Sequence, residues 1–253
     1  MRTTPVEECR HWLGVNPGEE PEALIFTGHL DFPQTIKAWS AVLSDPKTAL
    51  WPNAVVGKFD GLRLAVAAGY GAALAGDISH ICCTLGARLV LVTGYFGSLQ
   101  PGIEYGDVLL PTRARPLDSV APHYLGDGET QTHASQDVVK WLAERCAVDQ
   151  IPHHLGPVVS APSIMTETDE HFREWHEQGY YGVDLEVGVA FAVARHFGAG
   201  CGAMLVQSDS PIEGTYIFTR RSEEDRQVLR NRIFQIGRIA LEAATKFASA
   251  QTA

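Results

Sequence analysis

Arg88-Leu89-Val90-Leu91-Val92-Thr93-Gly94-Tyr95-Phe96-Gly97-Ser98-Leu99 decides the fold class. Residues 88–93 are apolar almost throughout, with no alternation of polar side chains. A run of that kind reads as a strand buried on both faces of a sheet. The glycine-containing segment 94–99 reads as the turn that follows it. The same grammar extends outward on both sides. Further strands are expected at 22–27, 54–60, 62–68, 107–112, 155–160 and 201–207. Helices are expected at 34–43, 72–86, 135–147, 168–178, 186–197 and 219–248, and a loop at 113–134. Strands that alternate with helices predict an α/β fold. No Pro-, Gly- or Ser-rich linker divides the chain, so one domain is expected over 1–253.

Composition narrows the function. The chain has 253 residues, 45% of them apolar, which excludes a disordered protein. A formal charge of −10 argues against a nucleic-acid binder, which would show a basic face. It leaves an anionic small molecule open, because a few placed cations suffice for that. Cys9, Cys82, Cys83, Cys146 and Cys201 are odd in number and form no C-x-x-C pair, so reduced thiols in a cytoplasmic protein are expected. No run reaches the ~20 apolar residues that a membrane span needs, and residues 1–9 lack the apolar core of a secretory signal.

Ligands of α/β folds sit at the carboxyl ends of the strands. The segments found there are Gly28-His29-Leu30-Asp31-Phe32-Pro33, Gly69-Tyr70-Gly71, Gly94-Tyr95-Phe96-Gly97, Ala161-Pro162-Ser163-Ile164-Met165 and Ser208-Asp209-Ser210-Pro211. Glycine at such positions permits a left-handed turn or a close backbone approach. Several of them in one chain point to a pocket.

Three motifs then carry a resemblance. Val92-Thr93-Gly94-Tyr95-Phe96-Gly97-Ser98 precedes Gly106-Asp107-Val108-Leu109-Leu110-Pro111-Thr112; Gly182-Val183-Asp184-Leu185-Glu186 precedes a helix; Val206-Gln207-Ser208-Asp209 ends a strand. In order and spacing the chain resembles the nucleoside phosphorylase and nucleosidase superfamily, from about residue 22 to about 245. The resemblance implies a central mixed β-sheet flanked by helices, a homo-oligomer (dimer to hexamer), a small purine nucleoside or nucleotide as ligand, and no cofactor or metal. It implies Asp209 as the catalytic acid at purine N7, Glu186 on the ribose hydroxyls, and Leu185 packed on the sugar. Ile164 falls where an aromatic residue usually stacks on the base. Phe96 and Gly97 would line the base pocket, with Tyr95, Tyr70 and Ser208 as further binding residues.

The departures from the family bear on the reaction. Phosphorylases of the superfamily hold phosphate with arginines, one in a loop patterned G-D-P-x-R and one before the central glycine segment. Phe32 and Val92 stand at those positions, and near Leu50, where a third would fall, only Lys47 is basic. A phosphate dianion depends on such bidentate contacts. Water is therefore the expected co-substrate, as in methylthioadenosine and AMP nucleosidases, to which Ser208–Gly214 looks similar. Asp31 is the candidate to activate that water, and a helix N-cap is the competing role for it. If the substrate is a nucleotide, Arg113, Arg115, Arg220 and Arg221 are candidates for its phosphate.

Other readings are weaker. Gly69-Tyr70-Gly71 lacks a third glycine at Leu74 and an acid some twenty residues on, against a dinucleotide fold. His171 and His176 are five apart and leave a common helix face, against zinc. A phosphate-dependent phosphorylase and a catalytically inactive nucleoside binder remain as alternatives.

Overall fold

The computed structural model describes residues 4–249, so both ends of the expected domain, 1–3 and 250–253, lie outside the described residues. The chain opens with helix α1 (Val6–Leu13), strand β1 (Ala23–Gly28), α2 (Phe32–Ser40), and strands β2 (Ser44–Thr48), β3 (Ala54–Phe59) and β4 (Leu62–Gly69). Then come α3 (Ala72–Thr84), β5 (Leu89–Ser98), β6 (Val108–Pro116), β7 (Thr132–His133), α4 (Gln136–Val148) and β8 (His153–Ser160). The rest is α5 (Asp169–Glu177), β9 (Gly182–Asp184), α6 (Val187–His196), β10 (Gly200–Asp209) and α7 (Glu223–Ser249). This is a single-domain α/β fold built on one mixed ten-stranded sheet.

The sheet is open on one side and closed on the other. β1, β4, β3 and β2 extend outward from β5 in that order. On its other side β5 pairs with β10, β10 with β6, β6 with β8, β8 with β9, and β9 returns to β5. Alternate residues feed two cores, as the period of a strand demands. Leu24, Phe26, Val90 and Val92 face α1, α3 and α6, whereas Ala23, Ile25, Leu89 and Leu91 face α4 and α7. α6 is buried on every side from Val187 to Ala194, and Phe191 is its largest side chain. Phe191→Ala is expected to lower unfolding free energy by about 3–5 kcal/mol through lost transfer energy and a residual cavity; denaturant unfolding would measure it.

Two expectations need correction. Residues 94–98 form no turn: β5 continues to Ser98 because β10 keeps pairing with it, up to Gly97 opposite Asp209. Gly94 is glycine for a packing reason, since a Cβ there would lie 2.9 Å from the Gly28 carbonyl oxygen. The expected loop 113–134 begins as strand: Arg113–Pro116 pair with Pro157–Ser160, with a register shift after Pro111, where a residue without N–H cannot serve the ladder. α1, β2 and β9 lacked a signal. β2 is a fully exposed edge strand carrying Pro46, and β9 has only three residues.

Candidate functional site

Where β1 ends, β5 and β10 do not. The β1–β5 register stops at Thr27 opposite Thr93, while β5 and β10 run on together. The step leaves a cleft of about 580 Å³ at the carboxyl ends of β1, β4, β5, β9 and β10. Nine of the ten residues singled out from the sequence line it: Tyr70, Tyr95, Phe96, Gly97, Ile164, Leu185, Glu186, Ser208 and Asp209.

The tenth, Asp31, does not. Its side chain caps α2 by accepting the Gln34 N–H at 3.2 Å, so the structure gives it the competing role. The neighbouring His29 lines the cleft instead. Its Nδ1 accepts the Asp31 N–H at 2.9 Å, and its ring packs against Tyr95 with centroids 5.5 Å apart. Burial pushes the His29 ring toward its neutral form. With Nδ1 accepting, the ring proton of neutral His29 sits on Nε2, which is then a donor.

Asp209 ends β10 in a buried position. Its Oδ1 accepts the Ser208 hydroxyl at 2.6 Å, and Gln207 Nε2 donates to its main-chain oxygen at 2.9 Å. Burial raises the carboxyl above the usual carboxylate range, and the Ser208 bond and the nearby Arg221 charge pull it partly back. Gly97 faces it across the strand pair, where a Cβ would stand 3.1 Å from Oδ2. Only glycine there leaves the second carboxyl oxygen an unobstructed face. Arg221 Nη2 donates to the Ser208 carbonyl at 2.8 Å, and its guanidinium lies 5.2 Å from the centre of the Tyr105 ring.

Glu186, in the same cleft, is positioned by two glycines. Its Oε1 accepts the Gly71 N–H at 2.7 Å, and a Cβ on Gly28 would fall 2.8 Å from its Oε2. Gly71 has φ +85°, a conformation that side chains disfavour. Glu186 precedes α6, yet the helix is capped by another acid. Asp184 accepts the N–H groups of Glu186 and Val187 at 2.9 and 2.7 Å, and the Ser160 hydroxyl at 2.6 Å. Burial raises the Asp184 carboxyl to about 6, and these three donors pull it partly back toward the ionised form. Burial, and after it the adjacent Asp184 charge, raise the Glu186 carboxyl to about 8.

Tyr105 and Glu167 are among the lining residues that carried no sequence signal. Tyr105 follows no strand and belongs to no motif. Glu167 lies just past the 164–166 turn, and burial with the charges of Asp209 and Asp184 pushes its carboxyl to about 8. Of the four arginines considered for a phosphate, Arg221 alone lines this cleft. Arg115 lines a smaller cleft and donates to Gln178 Oε1 at 3.0 Å. All five cysteines are buried and unbridged. Among the described residues no His/Cys/Asp/Glu cluster could hold a metal ion, and no helix is long and apolar enough to cross a membrane.

A cleft at the strand ends, with a buried acid at the end of one strand and a carboxyl held by glycines, defines a class. The model of the phosphorylase superfamily matches residues 53–243, and the chain belongs to that superfamily. Among curated relatives, a guanosine phosphorylase of Halorubrum lacusprofundi is 24% identical over 188 residues, covering 74% of this chain and 78% of its own. A uridine phosphorylase from Vibrio fischeri ES114 superposes with a TM-score of 0.80 at 20% identity, over 92% of this chain and 94% of that one. A 5′-methylthioadenosine/S-adenosyl homocysteine nucleosidase from Campylobacter jejuni does so with a TM-score of 0.71 at 14% identity, over 89% and 99% of the two chains. At these identities the two structures establish the fold.

Proposed function

We propose that this protein is a nucleosidase that hydrolyses the N-glycosidic bond of a purine nucleoside or nucleotide. The observation that carries the reading is that Asp209 and Glu186 line one cleft. The C1′–N9 bond breaks with its electron pair going to the base, and Asp209 delivers a proton to N7 as that charge develops. The sugar acquires oxocarbenium character. Ribose hydroxyls donate to Glu186 and favour its ionised form, whose charge then stabilises the sugar cation. Water adds its oxygen at C1′ and releases a proton, and Asp209 is reprotonated from solvent. The products are the free base and ribose or ribose phosphate.

Water is favoured over phosphate because the β1 end of the cleft offers Gly28, His29 and Leu30 and, among the described residues, no arginine. Val92 is buried within β5, and Phe32 opens α2. Asp31 is engaged as a cap, so the reading leans on an acid that keeps its proton and a reactive sugar cation, which weakly assisted water can capture. A homo-oligomer belongs to the same proposal. Phosphorolysis is the second reading, favoured by relatives that bear phosphorylase names. Base release from a panel of purine nucleosides and nucleotides decides between them. It should proceed at the same rate with and without phosphate and yield no ribose 1-phosphate. Strict phosphate dependence with ribose 1-phosphate as product would establish the phosphorylase.

A further inference from the structure

The cleft holds a carboxyl whose position the fold does not explain. Asp169 accepts from the Tyr216 hydroxyl, Asp184 caps α6, Glu186 accepts from Gly71, and Asp209 accepts from Ser208. Glu167 lines the same cleft, and its side chain has no hydrogen-bond partner among the described residues. Its polar neighbours all serve local structure. Ser163 accepts the Met165 N–H, Thr166 donates to the Ser163 carbonyl, and Thr168 caps α5. A half-buried, unpaired acid is costly unless something else uses it.

The local geometry says what it faces. Ile164–Thr166 form a 3₁₀ turn, in which side chains three apart eclipse. Ile164 and Glu167 therefore share one side, and both line the cleft. Ile164 offers a flat apolar wall without aromatic stacking, so a base lying on it needs its grip at an edge. The surroundings also set which edge. Asp209 and Asp184 are the charges acting on Glu167, and Arg115, with which Glu167 also lines the smaller cleft, donates to Gln178. Burial first, and the Asp184 charge after it, favour the protonated form of Glu167, which can donate.

We propose that Glu167 reads the six-membered ring of the bound base, donating to a bare ring nitrogen at the N1 edge while Asp209 serves N7, so that the site prefers 6-aminopurines to 6-oxopurines. In a 6-aminopurine N1 is an acceptor. In a 6-oxopurine N1 carries hydrogen, and it meets the proton of Glu167 where it needs an acceptor. The inference rests on the cleft being a purine site and is independent of whether water or phosphate attacks.

Calorimetric titration with free bases tests it. The parent protein should bind adenine ~10-fold or more tightly than 1-deazaadenine, which lacks N1, and than hypoxanthine, the factor expected of one buried hydrogen bond. Glu167→Ala should lower adenine affinity to the 1-deazaadenine level. Glu167→Gln, whose amide can donate, should keep adenine affinity within about 3-fold, since its hydrogen bond is neutral as well. Should Glu167→Ala fail to fold, the three bases on the parent protein decide. Hypoxanthine binding as tightly as adenine, or indifference to the loss of N1, overturns the inference. Absence of any purine binding overturns it together with the purine reading. Adenine bound through Glu167 without any base release overturns only the proposed reaction.

Discussion

Asp209→Asn is expected to lower kcat on the best purine nucleoside by roughly 10²-fold or more while KM hardly moves. The substitution keeps size and a hydrogen-bond donor and removes the transferable proton. The lost interaction grows only as charge develops on the base, so it appears in the turnover number. The site is built to keep that proton available. Burial raises the Asp209 carboxyl, and Gly97 keeps its second oxygen clear. The sign with pH follows: Asp209 must be protonated to act, so this contribution is full below its raised pKa and fades as pH climbs through it. Steady-state kinetics on a substrate whose leaving group departs without protonation supply the control. That substrate should restore the rate of Asp209→Asn. Near-parent activity of the variant on ordinary purine nucleosides would place the acid elsewhere.

Glu186→Gln is expected to lower kcat/KM by roughly 10²-fold, with kcat and KM both affected. Charge-assisted hydrogen bonds to hydroxyls are worth about 1.5–3 kcal/mol each. They exist in the ground state and strengthen as the sugar becomes cationic. The easily leaving substrate should not rescue this variant, since it relieves nothing at the sugar, and that contrast separates the two roles. Stability should hardly change, because Asp184 and not Glu186 satisfies the first N–H groups of α6. A thermal melt close to the parent's, with lost activity, is the expected pair of results. Unchanged kinetics would detach Glu186 from the sugar.

Much of this was legible in the chain. The apolar runs 22–27, 62–68 and 88–93 become neighbouring strands β1, β4 and β5, because an unbroken apolar run can be satisfied only by burial on both faces. The dense apolar pattern 186–197 becomes the buried helix α6. Glu186 and Asp209 stood out by chemical type, position after or at the end of strands, and motif order, and the fold gathers them into one cleft. Those features are local, and local sequence carries them.

The rest depended on contacts between distant segments. β5 could not be seen to continue past Thr93, because only pairing with β10 makes Gly94–Ser98 a strand. Arg113–Pro116 reads as a polar loop until β8 lies beside it. Asp31 and Glu186 each stand at a helix start, and either could cap or face a ligand. The choice fell to a hydrogen bond three residues on for Asp31, and to a rival cap at Asp184 for Glu186. Glu167 belongs to no motif and acquires its character only when the ends of β9 and β10 bring Asp184 and Asp209 near it. Residue type and periodicity determine which segments must be buried and which groups can do chemistry. Which carboxyl is spent on the fold and which is left for a ligand is a matter of desolvation and hydrogen-bond partners, and these exist only once the chain has closed around them.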